Sequence, residues 1–128
     1  MTDLRTDRAE DDRTVVLVVE DEALIRINAC DMLEDMGFDV VDAADGVEAI
    51  GVLEARSDIR LVFTDCRMPR MTGPELAQAA TLRWPGLRVI LATAYQEMPE
   101  PPRWPVIAKP YNARALAQAV KLSLAAPP

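Results

Sequence analysis

The sequence predicts an α/β domain in which helices cover both faces of a five-stranded parallel sheet. Short apolar runs of strand length alternate along the chain with longer segments in which apolar residues recur at helical spacing. The apolar runs are mostly continuous, which is typical of strands buried on both faces of a parallel sheet. A chain of 128 residues has room for one such domain.

The predicted strands are short and rich in β-branched residues. The first is the clearest, since residues 14–19 read Thr-Val-Val-Leu-Val-Val. The following four are shorter, and each comes after a segment with helical or turn character. They comprise residues 38–41, 60–64, 88–92 and 106–108.

The predicted helices carry recognisable start and stop signals. The first has apolar residues at helical spacing up to Met36 and ends at Gly37, a glycine in the usual position after a helix. Asp45 and Gly46 open the second helix. Gly73-Pro74 places a proline in the first turn of the third, and Asn112 caps the last.

The segment between strands four and five departs from this regular pattern. Residues 94–104 contain three prolines, and Pro105 follows them. Each proline removes a helix donor and restricts the residue before it. We therefore predict that the fourth of five helices is short or irregular, and that the surface formed with the fifth strand and last helix is altered.

Composition excludes several classes of function. The formal net charge of −7 argues against binding to a phosphate backbone. The absence of histidine excludes Ser-His-Asp and Cys-His catalysis, histidine-ligated metals and a phosphohistidine on this chain. Two cysteines, Cys30 and Cys66, are too few for a disulfide framework or a cysteine-rich zinc site.

The chain also predicts a simple organisation and location. Residues 1–13 are rich in acidic side chains and are expected to form a disordered tail, residues 14–124 the domain, and residues 125–128 a C-terminal tail. No segment is long and apolar enough to cross a membrane, and the N-terminus lacks an apolar signal core. We expect a cytoplasmic protein with no membrane and no direct nucleic-acid partner.

Polar residues stand at four of the five strand ends. They are Glu20-Asp21, Asp65, Thr93 and Lys109, and the carboxyl ends of parallel strands are where ligands bind in such sheets. Clustered carboxylates favour a hard dication such as Mg²⁺. An aspartate beside it is suited to forming an aspartyl phosphate, with an ammonium and a hydroxyl to stabilise the transferred group.

At these residues the chain resembles the receiver domain of two-component response regulators. The resemblance extends over residues 14–124 and implies a flavodoxin-like (βα)5 doubly wound fold with strand order 2-1-3-4-5. The matching marks, in chain order, are Glu20-Asp21, the run Ala44-Asp45-Gly46-Val47-Glu48-Ala49, the D-x-x-M-P-x-M-x-G run from Asp65 to Gly73, Thr93-Ala94 and Lys109-Pro110.

The resemblance also implies a role for each site residue. Asp65 would accept a phosphoryl group from a phosphohistidine on a sensor histidine kinase or a histidine phosphotransfer protein. Thr93 and Lys109 would hold the phosphoryl oxygens. The protein would then act on a downstream protein target in a phosphorelay, with no enzymatic activity beyond its own self-catalysed phosphotransfer and autodephosphorylation.

A magnesium site follows from the same resemblance. Asp21, Asp65 and the backbone carbonyl of Arg67 would bind Mg²⁺, and Glu20 would act through water.

The surface that signals phosphorylation departs from the family. Most receivers carry an aromatic residue three positions before the strand-five lysine, where this chain has Val106. Residues 91–95, Leu-Ala-Thr-Ala-Tyr, resemble the Phe-Ala-Thr-Gly-Tyr-like run of a stand-alone receiver subgroup that lacks this aromatic switch. Tyr95 is then a candidate replacement. In the alternative interpretation, Tyr95 and Trp104 only cover the sheet edge beside a short helix.

Several functional alternatives remain at this stage. The expected function is a single-domain response regulator that signals through protein contact, since no DNA-binding module follows the last predicted helix. The chain could instead be a receiver from a larger hybrid kinase or transcription regulator, or a pseudo-receiver that binds partners without phosphorylation. A phosphate-ester hydrolase is disfavoured because Arg67 stands where its second carboxylate would be.

Overall fold

The computed structural model describes residues 13–94 and 103–125. These residues form one five-stranded sheet and four helices. Among these residues, no helix has the length and apolar character needed to cross a bilayer. The elements in chain order are β1 (Val15–Val19), α1 (Ala23–Asp35), β2 (Asp39–Ala43), α2 (Gly46–Ala55), β3 (Ile59–Asp65), α3 (Gly73–Arg83), β4 (Arg88–Thr93), β5 (Val106–Ala108) and α4 (Ala113–Ala125).

All strand pairs are parallel, and their order across the sheet is β2-β1-β3-β4-β5. This confirms the fold class and the strand order that the resemblance implied. From β1 the chain crosses to β2 on one side of the sheet and later to β3 on the other. The order therefore reverses between β1 and β3, and a crevice opens at their carboxyl ends.

Adjacent residues of the central strands face opposite sides of the sheet and belong to two separate apolar cores. Leu17 of β1 packs with Leu76 of α3 in the core that α2 and α3 cover. Its neighbour Val16 packs with Leu116 of α4 in the core that α1 and α4 cover. Because every residue of β1 is buried, an unbroken apolar run is the pattern that this strand requires.

The strand boundaries differ from the predicted ones mainly at the carboxyl ends. β2 extends to Ala43 because it pairs with the whole of β1, from Val15↔Asp39 to Val19↔Ala43. Its exposed Asp42 interrupts the apolar pattern from which the strand was predicted. β3 and β4 likewise end on polar residues, which still pair through their backbones.

Some predictions concern residues that the structure does not describe. The acidic tail falls on them except for its last residue, and so does most of the proline-containing segment predicted to form a short or irregular fourth helix. The C-terminal helix, numbered α4 here, begins after Asn112, whose side chain accepts a hydrogen bond from the Ala115 N–H at 2.8 Å as predicted. This helix ends at Ala125.

Gly73, the first residue of α3, lies directly against the end of β3. Its N–H donates to the Cys66 carbonyl at 2.8 Å. A Cβ at Gly73 would clash with the Asp65 carbonyl oxygen and lie 2.9 Å from the Cα of Cys66. Thr72 and Glu75 complete the helix start, since each side chain accepts a hydrogen bond from the other's backbone N–H. The glycine thus allows the first residue of α3 to pack directly against the backbone of Asp65 and Cys66.

The variant Gly73→Ala is expected to lower the free energy of unfolding by about 1–3 kcal/mol, because the atoms it meets belong to the backbone and cannot rotate away. Gly51→Ala is the matched control. Gly51 lies inside α2 with open space around its Cα, so this variant should raise the free energy of unfolding by about 0.5–1 kcal/mol. Urea unfolding measures both. Equal effects of the two variants would contradict the close approach at Gly73.

Candidate functional site

The four polar strand ends predicted from the sequence converge at one edge of the sheet. Glu20 follows β1, Asp65 ends β3, Thr93 ends β4 and Lys109 follows β5. Carboxylate oxygens of Glu20, Asp21 and Asp65 lie within 4.8 Å of one another. The Lys109 Nζ lies 2.6 Å from Asp65 Oδ1 and 4.0 Å from Glu20 Oε1. The site therefore places three carboxylates around one ammonium group.

Glu20 is buried although it carries a carboxylate. The pKa of Glu20 is raised to about 7, mainly because burial disfavours the charged form and to a lesser degree because of the negative charge of Asp65. A hydrogen bond from the Glu22 N–H to Glu20 Oε2, at 3.1 Å, opposes the shift. The surroundings of Glu20 therefore disfavour its charged form on balance.

Lys109 is held in place by its backbone as well as by its side chain. Its N–H donates to the Thr93 carbonyl at 2.9 Å, which fixes the end of β5 against β4. Partial burial acts to lower the pKa of Lys109, but the hydrogen bond to Asp65 and the charges of Asp65 and Glu20 outweigh it and raise this pKa. Lys109 therefore stays an ammonium group.

Thr93 is fully buried at the end of β4, on the strand next to Asp65. Its hydroxyl donates to the Ala94 carbonyl at 3.1 Å. This places a rotatable hydroxyl at the same edge of the sheet as the Asp65 carboxylate. The arrangement suits a donor that turns toward a new oxygen atom when one arrives.

The loop after β3 is attached to the start of α2. The Arg70 guanidinium pairs with Asp45, which caps α2 by accepting a hydrogen bond from the Glu48 N–H at 2.8 Å. A Cβ on Gly46 would lie 2.8 Å from Met71, so the glycine leaves room for this methionine. Two motifs that are separate in the sequence are therefore in contact in the fold, a relation that sequence reasoning missed.

Arg67 and Met68 lie in the same loop, two and three residues after Asp65. Met68 is buried, and its sulfur lies 3.8 Å from the Thr64 hydroxyl. Arg67 follows Asp65 by two residues and has an exposed side chain. The binding of metal by its backbone carbonyl stays a prediction.

Tyr111 is another residue of this region that the sequence analysis missed. It lies two residues after Lys109 and contacts Phe63 edge-on, with ring centroids 5.4 Å apart. Burial raises the pKa of Tyr111 to about 12, so the phenol stays neutral. Its position after the lysine was the available signal, but aromatic residues after strands are too common to single it out.

Two of the three predicted switch residues, Trp104 and Val106, lie at the edge of the sheet formed by β5. Val106 pairs with Leu91 of β4, and Val106 and Trp104 both pack, partly buried, against the core that α2 and α3 cover. Arg103 stacks on the Trp104 ring at 5.0 Å from its centroid. Whether Trp104 and Tyr95 only cover the sheet edge stays a prediction, since Tyr95 lies outside the described residues.

The donor set fits a hard dication. Mg²⁺ prefers oxygen ligands, commonly one or two carboxylates plus water, and the site offers carboxylate oxygens close together with one buried member of raised pKa. Asp21 is exposed, whereas Glu20 and Asp65 are buried, so the cluster reaches the protein surface at Asp21. A cation here would relieve the repulsion among these groups.

Comparison with known proteins relates the chain to one family. Residues 16–121 match the model of the response regulator receiver domain. The chain is 32% identical over 113 residues to the sensor kinase CckA of Brucella abortus (strain 2308), an alignment that covers 83% of this chain but 12% of that protein. It is 31% identical over 113 residues to the sporulation initiation phosphotransferase F of Bacillus subtilis (strain 168), covering 83% of this chain and 90% of that protein.

Solved structures show the same relation. The response regulator protein TrrA from Thermotoga maritima, in complex with Mg²⁺-BeF, superposes with a TM-score of 0.77 at 27% identity. That match covers 85% of this chain and 97% of the other.

The variant Lys109→Met is expected to bind Mg²⁺ about 3- to 10-fold more tightly than the wild type, because it removes a positive charge that competes with the ion for Asp65. Asp21→Asn should instead weaken binding, since it removes a carboxylate. Isothermal titration calorimetry measures both affinities. Lys121→Met, which removes the other lysine from an exposed position on α4, is the control and should leave the affinity unchanged. Weaker binding by Lys109→Met would contradict this view of the site.

Proposed function

Since the chain belongs to the response regulator receiver domain family, we propose that Asp65 is its phosphoacceptor and takes a phosphoryl group from a phosphohistidine in a Mg²⁺-dependent reaction. The observation that carries the proposal is the 2.6 Å contact between Asp65 and Lys109 beside two further carboxylates. This arrangement pairs a nucleophilic carboxylate with a cation that can neutralise the incoming group.

The transfer is a displacement at phosphorus. An Asp65 carboxylate oxygen forms a bond to phosphorus while the phosphorus–nitrogen bond to the donor imidazole breaks, and the imidazole keeps the electron pair and takes up a proton. The Lys109 ammonium shifts from Asp65 to a phosphoryl oxygen. The Thr93 hydroxyl turns from the Ala94 carbonyl to another phosphoryl oxygen.

The metal site is part of the same proposal. Asp21, Asp65 and the Arg67 carbonyl would hold Mg²⁺, with Glu20 acting through a bound water. When bound, Mg²⁺ supplies positive charge to the phosphoryl oxygens. The engagement of Glu20 Oε2 by the Glu22 N–H supports the indirect role of Glu20, because part of its carboxylate is already satisfied by the protein.

The donor is a sensor histidine kinase or a histidine phosphotransfer protein. The names of the related sensor kinase and phosphotransferase support this class of partner. The helix α1, which follows the Glu20–Asp21 pair, exposes Leu24 and Ile27, and its Ile25 and Met32 line a cavity of about 420 Å³ together with residues 109–111. This apolar surface suits a protein that brings an imidazole to Asp65.

Output would pass to a protein partner rather than to nucleic acid. The net charge of −7 disfavours a nucleic-acid surface. The edge containing Trp104 and Val106 is the proposed contact region, and Tyr95 stays the candidate replacement for the missing aromatic residue. The protein's own chemistry would be limited to self-catalysed phosphotransfer and autodephosphorylation, in a cytoplasmic setting.

Incubation with acetyl phosphate and Mg²⁺ should add one phosphoryl group to the wild type, as measured by intact mass spectrometry, and chelation of Mg²⁺ should prevent it. Asp65→Asn should show no addition, because its side chain lacks the nucleophilic oxygen. Asp31→Asn, which changes an exposed aspartate on α1, should be modified like the wild type.

Two outcomes would contradict the proposal. Modification of Asp65→Asn equal to that of the wild type would refute the assignment of Asp65. Absence of any Mg²⁺-dependent modification of the wild type would favour a pseudo-receiver that acts as a phosphorylation-independent binding module.

A further inference from the structure

Arg26 connects the Glu20–Asp21 segment, which follows β1, to the neighbouring strand β2. Its side chain bonds to the backbone of this segment and not to the carboxylates of the site. It lies in the first turn of α1, and 21% of its side chain is exposed. Its Nη1 donates to the backbone carbonyl of Glu20 at 2.7 Å, and its Nε donates to Asp42 Oδ2 on β2 at 3.2 Å. The side chain reaches back because helical side chains lean toward the helix N-terminus.

The atoms of Glu20 are fixed from three directions. Its N–H donates to the Ala43 carbonyl at 3.1 Å, its Oε2 accepts from the Glu22 N–H at 3.1 Å, and its carbonyl accepts from Arg26. The orientation of that carbonyl sets the plane of the next peptide group, which carries Asp21. Of the three groups that bond to Glu20 here, only that of Arg26 belongs to a side chain, so a substitution can remove this contact without changing the backbone.

The contact made by Arg26 opposes the repulsion among the three carboxylates of the site. Their oxygens lie within 4.8 Å of one another, so before a cation binds, repulsion favours movement of the Glu20–Asp21 segment away from Asp65. Arg26 ties the segment to β2 through Asp42, at the neighbouring strand end. The free-energy cost of bringing the carboxylates together is then covered when the protein folds, and it no longer reduces the affinity for the metal.

We propose that Arg26 is a positioning residue that holds Glu20 and Asp21 in their metal-binding geometry by anchoring the Glu20 carbonyl to Asp42. The proposal rests on the proposed function, since it assigns to these carboxylates the binding of Mg²⁺. It adds a residue that contacts neither the ion nor the phosphoryl group.

Arg26 could instead act only as a nearby positive charge, and the two roles predict opposite signs. A positive charge beside a dication site weakens binding by repulsion, so its removal would tighten Mg²⁺ binding. Removal of a positioning residue weakens binding, typically by about 10- to 100-fold for partners that orient metal ligands. The direction of the change in affinity therefore separates the two roles.

The test is calorimetric titration of Mg²⁺ into the full chain and its variants. Arg26→Met is expected to bind Mg²⁺ about 10- to 100-fold more weakly than the wild type. Asp42→Asn keeps an oxygen that can accept from Arg26, so its affinity should stay within about 3-fold. Arg60→Met, which removes an exposed arginine near the amino end of β3, should bind like the wild type.

A conservative variant keeps the test decisive if Arg26→Met fails to fold in urea-unfolding controls. Arg26→Lys retains the charge but has a single nitrogen in place of the guanidinium fork. Weaker Mg²⁺ binding by Arg26→Lys supports positioning, and unchanged binding overturns it. Unchanged or tighter binding by a folded Arg26→Met overturns the inference while the proposed function stands. A wild type that binds no Mg²⁺ overturns the proposed function, and the inference with it.

Discussion

The ion pair between Asp65 and Lys109 is the interaction on which the rest of the site depends. It joins the ends of β3 and β5, which are separated by β4 in the sheet, across a distance of 2.6 Å. One ammonium group carries too little positive charge to neutralise the three carboxylates that gather there. The protein thus keeps a surplus of negative charge at this edge of the sheet, and that surplus favours the binding of a dication.

The fold maintains this arrangement through contacts outside the site. Reversal of strand order between β1 and β3 brings Glu20 and Asp65 to the same crevice. Gly73 lets α3 start against the end of β3, and the pairing of Arg70 with Asp45 ties the following loop to α2. Arg26 ties the loop after β1 to β2. The acidic loops are therefore held at their bases, with Glu20 and Asp65 buried and Asp21 exposed.

Much of this could be predicted from the sequence, because a parallel sheet places all its strand ends at one edge. The strands and the polar residues that follow them sufficed to bring Asp65 and Lys109 together in the prediction. Contacts such as Arg26 with the Glu20 carbonyl could not be predicted, since they join side chains to backbone atoms and leave no periodic pattern. The extension of β2 to Ala43 was missed because an exposed aspartate hides a strand that backbone pairing defines.

The structure of the chain crystallised with Mg²⁺ and beryllofluoride, which imitates a phosphoryl group, tests the central claim most directly. The account predicts beryllium bonded to an Asp65 oxygen, Mg²⁺ bound by Asp21 and Asp65, and the Lys109 ammonium moved from Asp65 to a fluorine atom. Beryllofluoride at another side chain, or a Lys109–Asp65 contact unchanged in its presence, would contradict it.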